Sequence, residues 1–165
     1  MGAALQYYAP PQQSGARFPA ELRQLLHQRF GPAARAIEAR WHLRFAGVSG
    51  TIPERHEEYQ DLLELLLEHA DSATQEVKAL AHWLAFTCMG SDHLWEDLGL
   101  PERPALSALI HDYFPALHAK NTENMRWKRF FYKQLCARAG LSVCRSPSCA
   151  ACSEYSNCFV TPLTA

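Results

Sequence analysis

The sequence predicts an all-α fold: a single helical domain of about five to seven helices, followed by an irregular cysteine-rich C-terminal tail. Three observations lead there. Apolar residues recur at three- and four-residue spacing along most of the chain, which is the period of a helix with one buried face. Helix-start signals stand in front of several of these runs. No run alternates apolar and polar residues as a half-buried strand would, and no internal repeat is present.

The elements follow in order. Residues 1–18 contain Pro10, Pro11, Gln12, Gln13 and Gly15 and read as a flexible arm. Leu22, Leu25, Leu26, Arg29 and Phe30 fit a first helix, which Gly31-Pro32 interrupts. Ala33 to Ala46 carries Ile37, Trp41 and Phe45 on one face. Thr51 with Glu54 has capping-box spacing, and Pro53 suits a first turn. The helix expected over about 54–69 sets Glu57, Asp61, Glu64 and Glu68 on one stripe, opposite Tyr59, Leu62, Leu63 and Leu66. Asp71 or Ser72 is the expected cap of the next helix, where Val77, Leu80, Ala81, Leu84 and Cys88 share a face and Gly90 ends the run. "HLWEDLGLPERP" reads as a connector with one short turn. A helix over about 104–116 follows. Asn121 or Thr122 is expected to open the last helix, which runs to about Ala139 and stops at Gly140. The domain reading is thus an arm (1–18), a helical domain (19–140) and a metal-cluster-binding tail (141–165).

Bulk composition narrows the function classes. The 165 residues suit one domain with an ordinary core, and 48% hydrophobic with 20% charged content describes a globular chain. A net charge of −1 gives no sign of a nucleic-acid binder. Charge is segregated, however: residues 54–76 carry eight acids and one Arg, whereas residues 124–153 carry six bases and no acid. The longest apolar uncharged run, Ala79 to Ser91, is too short for a membrane span of about 20 residues. The start "MGAALQYYAPPQQSG" has neither a basic n-region nor an apolar h-region, so a cytoplasmic location is expected. In that reducing compartment, clustered cysteines more often bind metal than form disulfides.

The chemistry-bearing motif is "CRSPSCAACSEYSNC", residues 144–158, with the spacing Cys-x4-Cys-x2-Cys-x5-Cys. Four thiolates are soft anionic donors, suited to Zn²⁺ or an iron–sulfur cluster rather than to Ca²⁺ or Mg²⁺. Structural zinc usually takes two close cysteine pairs separated by a longer loop. Here one close pair, Cys149 and Cys152, is flanked by Cys144 and Cys158, and the first three have the spacing that also wraps plant-type iron–sulfur clusters. Ser146, Pro147, Ser148, Ala150 and Ala151 are small or turn-forming, so backbone N–H groups can approach the sulfurs. Structural zinc and a redox disulfide pair remain the competing readings. Arg126, Arg129 and Lys133 form a basic stripe on the last helix, followed by Arg138; they are either a solvated face or a complement to an anionic cluster.

With those residues in view, the chain resembles the NifQ family of nitrogen-fixation proteins. The likeness is carried by the cysteine motif, by "NMRWKRFFYKQLC" (124–136) and by "CMGSDHLWEDLGLPERPALSALIHDYFPAL" (88–117), with "HEEYQDLLELLLEHAD" as a weaker match. The resemblance implies a carrier that holds molybdenum in a mixed molybdenum–iron–sulfur cluster and donates it for the nitrogenase iron–molybdenum cofactor. It implies Cys144, Cys149, Cys152 and Cys158 as ligands. It also implies two partners, the scaffold complex where that cofactor is completed and the nitrogenase iron protein. Molybdate or another molybdenum source is the expected cargo precursor, which Arg and Lys near the tail could attract.

Accessory candidates are His93, Cys136, Arg126, Arg129 and Lys133. His93, close to Asp92, Glu96 and Asp97, is either a ligand or a capping histidine. Cys136 is either a spare thiol or a small packed hydrophobe, and Cys88 is expected in the core. Trp127, Phe131 and Leu135 recur at i, i+4, i+8 as an anchoring stripe. No general acid–base pair, phosphate loop or nucleophile–base arrangement stands out, so no enzyme is expected. The alternatives are a helical interaction module with a structural zinc in its tail and a small electron-transfer protein.

Overall fold

The computed structural model describes residues 19–45 and 56–139. The expected arm, the Thr51–Glu54 cap and the whole cysteine-rich tail lie outside the described residues. Within them the architecture is all-α, as the sequence predicts: α1 Ala20–Phe30, α2 Ala34–Phe45, α3 His56–Glu68, α4 Gln75–Thr87, α5 Leu94–Asp97, α6 Arg103–Tyr113, α7 Pro115–Lys120 and α8 Trp127–Arg138. A 3₁₀ turn at Gly31–Ala33, with Pro32 inside it, separates α1 from α2. No helix among the described residues is long and apolar enough to cross a membrane.

The core is built around α4. Its residues Leu80 to Thr87 are all buried, so this helix is covered on every side. α1 and α3 pack on it, and α8 packs on α3. The apolar stripes expected from the sequence are the ones that close the core: Leu22, Leu25 and Leu26; Ile37, Trp41 and Phe45; Tyr59, Leu62, Leu63 and Leu66. Leu65 joins the last set. A bidentate Arg23–Glu38 pair, at 2.5 and 3.1 Å, fastens α1 to α2 and holds the Glu38 carboxyl below its usual range. Trp41 donates its indole N–H to Thr87 Oγ1 at 3.0 Å, and that hydroxyl donates to the Trp83 carbonyl at 2.6 Å. The Trp41 indole and the Thr87 hydroxyl are thereby both satisfied inside the core.

Three boundaries differ from expectation, each for a local reason. Thr74, rather than Asp71 or Ser72, caps α4: its backbone is extended and its Oγ1 accepts from Val77 N–H at 3.4 Å. The helix expected over 104–116 breaks at Phe114 (φ −134°, ψ 58°), because Pro115 disfavours helical geometry in the preceding residue. The last helix starts at Trp127, six residues after Asn121. Asn121 does bind backbone ahead of it, but to close a loop: its Oδ1 accepts from Met125 N–H at 2.8 Å and its Nδ2 donates to Met125 O at 2.9 Å. Within that loop Asn124 takes a positive φ of 56°.

Candidate functional site

The segment between α4 and α5 is held by a buried carboxylate. Asp97 is only 2% exposed. Burying a lone carboxylate would cost several kcal/mol, so it requires compensating charge. Two cations from distant helices supply it: Arg44 of α2 reaches Oδ1 at 3.0 Å, and Lys128 of α8 reaches Oδ2 at 2.5 Å. Asp92 N–H also donates to Oδ2, at 3.2 Å. Lys128 Nζ further donates to the Gly90 carbonyl at 2.9 Å and to the Asp92 carbonyl. Arg44 completes the arrangement with Asp92 Oδ2 at 2.7 Å.

Gly90 is required by this packing. A Cβ there would stand 2.4 Å from Asp97 Oδ2. Gly99 closes the other end of α5 at φ +81°, where a Cβ would lie 2.6 Å from the Ile37 carbonyl; Arg40 Nε donates to the Gly99 carbonyl at 2.8 Å. The short α5 is thereby pinned to α2 from both ends.

Between this loop and the start of α8 lies a cleft of about 440 Å³, lined by Gly90, Ser91, Asp92, His93, Glu96, Arg126, Lys128 and Arg129. His93 is exposed at the start of α5, and its N–H donates to the Glu96 carboxylate at 3.3 Å. Arg126 and Arg129 flank the first turn of α8. The chain before α8 is steadied by Arg103 of α6, which donates to Asn124 Oδ1 at 2.8 Å and Met125 O at 3.1 Å and lies 5.9 Å from the Trp127 ring centre. Burial, reinforced by the nearby charge of Arg126, pushes the Arg103 guanidinium below its ordinary range.

The structure therefore brings His93, Arg126 and Arg129 together. It does not bring Lys133 or Cys136 to them: Lys133 is exposed farther along α8 and Cys136 is a half-buried free thiol. Cys88 is a core residue, as expected. Trp127 and Phe131 are buried and Leu135 packs against the core, joined by Phe130. Arg138 is paired with Glu68 of α3, and Tyr132 donates to Glu58. Glu68 of the acidic stripe thus meets the basic helix at the surface. Cys144, Cys149, Cys152 and Cys158 lie outside the described residues, and among the described residues no group of His, Cys, Asp and Glu could hold a metal ion.

Sequence reasoning missed Lys128 and Arg44, and set Asp97 beside His93 when its carboxylate faces those two cations. The available signal was an Asp embedded in "LWEDLGL", flanked by Leu94, Leu98 and Leu100. A carboxylate among apolar neighbours implies a cation from elsewhere in the fold.

Comparison with known proteins decides the family. The NifQ family model matches residues 4–160. The chain belongs to the NifQ family. Its name ties the family to nitrogen fixation. Protein NifQ of Rhodobacter capsulatus is 50% identical over 107 residues, 65% of this chain and 59% of that relative. Protein NifQ of Azotobacter vinelandii is 47% identical over 105 residues, 64% of this chain and 54% of that relative. The matched stretch is thus less than two thirds of either relative's length. Protein NifQ of Klebsiella pneumoniae is 38% identical over 137 residues, covering 82% of this chain and 80% of its own. No solved structure matches the chain.

Proposed function

We propose that this NifQ-family chain is a cytoplasmic molybdenum carrier, not an enzyme. Its cargo is a molybdenum–iron–sulfur cluster held by Cys144, Cys149, Cys152 and Cys158, and it donates molybdenum for the nitrogenase iron–molybdenum cofactor. The observation that carries this reading is the NifQ match over residues 4–160, which spans all four cysteines at Cys-x4-Cys-x2-Cys-x5-Cys. The donor chemistry fits: four thiolates suit a soft, reduced metal core. The recipients are the scaffold complex that completes the cofactor and the nitrogenase iron protein.

Elemental analysis tests this. Protein purified without oxygen from molybdate-fed cells is expected to be brown and to contain iron, sulfide and molybdenum. Iron and sulfide without molybdenum would reduce it to an electron-transfer protein. A colourless product with one zinc per chain would make it an interaction module with a structural metal.

A further inference from the structure

The cleft between the Gly90–His93 loop and α8 is lined by three cations, Arg126, Lys128 and Arg129, against two carboxylates, Asp92 and Glu96. The carboxylates are engaged within the loop and with α2: Asp92 with Arg44, and Glu96 with His93 N–H. Lys128 is engaged too, since an ammonium has three donors and all three find acceptors in Gly90, Asp92 and Asp97. Lys128 therefore builds the wall, while the exposed Arg129 side chain extends the positive charge to solvent. We propose that this cleft binds a tetrahedral oxyanion, with Arg129 and Arg126 as the charged donors and His93 as a third hydrogen-bonding group.

Guanidinium forks match pairs of oxygens on such an anion and retain their charge at every physiological pH. The volume of about 440 Å³ admits the anion together with bridging water. The wall is preorganised, because Asp97 fixes Lys128 and Gly90 gives Asp97 its room. The anion is captured here and undergoes no bond change. Its identification as molybdate rests on the carrier reading above; the capture of an oxyanion does not. The cleft sits at the start of α8, a helix of twelve residues and about 18 Å whose far end leads toward Cys144.

Equilibrium dialysis of the full chain against sodium molybdate, inorganic phosphate and sulfate tests the proposal. An Arg126→Gln/Arg129→Gln double variant is expected to bind the preferred anion about tenfold more weakly or worse. Arg129→Lys is expected to recover part of that loss, whereas Arg35→Gln, which removes an exposed cation on α2, leaves affinity unchanged. Thermal unfolding shows whether the double variant is folded; should it not be, Arg129→Gln alone carries the same comparison from an exposed position. Native affinity in the arginine variants, or no anion bound by the native chain, overturns the site. Binding of phosphate or sulfate without molybdate upholds the cleft and removes molybdate as its ligand, leaving the cysteine-held cargo to be judged by metal content.

Discussion

Lys128 joins more of the molecule than any side chain that sequence reasoning selected. Its ammonium ties α8 to the α4–α5 loop through two carbonyls and to α5 through the buried Asp97. Lys128→Met keeps the apolar stem and removes the charge, which leaves Asp97 with Arg44 as its remaining cation. Breaking one side of a buried ion pair costs about 3 kcal/mol. Urea unfolding is expected to show a loss of that size, and hydrogen exchange at Ser91 and Asp92 is expected to quicken. An unchanged unfolding midpoint would mean that Asp97 is adequately held by Arg44 alone. This residue was hidden in the sequence because a lysine on a basic helix looks solvated; what distinguishes it is its partner, 31 positions away in the chain.

At the scale of elements, α3 and α4 meet through a buried polar pair as well as through leucines. Tyr59 OH and His82 Nδ1 lie 2.6 Å apart, and both side chains are buried. Burial lowers the His82 pKa from 6.5 to about 4 and raises that of Tyr59. Between those two His82 values the unfolded chain holds the extra proton. The stabilisation from neutral His82 is therefore complete above pH 6.5 and is lost as pH falls toward 4. The slope from this one group is at most about 1.4 kcal/mol per pH unit. His82→Gln keeps a polar partner for Tyr59 and cannot titrate, so its urea midpoint is expected to vary less over that window. A native-like pH dependence in the variant would assign the effect to other groups. The helices themselves were legible because their apolar stripes have the right period. Their ends were less so: Ser72 and Thr74 carry similar capping chemistry, and it is Thr74 that caps α4. Asn121 shows the same ambiguity, since an Asx side chain can open a helix or close a loop.

At the scale of the whole molecule, the described helices form a basic cleft at the start of α8, and the cysteine motif follows α8 in the sequence. His93, Arg126 and Arg129 were individually readable as candidates, yet their meeting was not, because it depends on Asp97 drawing α2, α5 and α8 together. The four cysteines stand as candidates on donor type, spacing and family resemblance, and they lie outside the described residues. The proposed carrier role rests on those thiols, so one comparison bears on it most directly: molybdenum per chain, after anaerobic purification, in native protein, Cys149→Ala and Cys88→Ala. Cys88 is 2% exposed in the core, and its replacement is expected to leave bound molybdenum at the native level. Cys149→Ala is expected to lose most of it. A Cys149→Ala protein that retains native molybdenum would contradict cluster binding by the C-terminal cysteines.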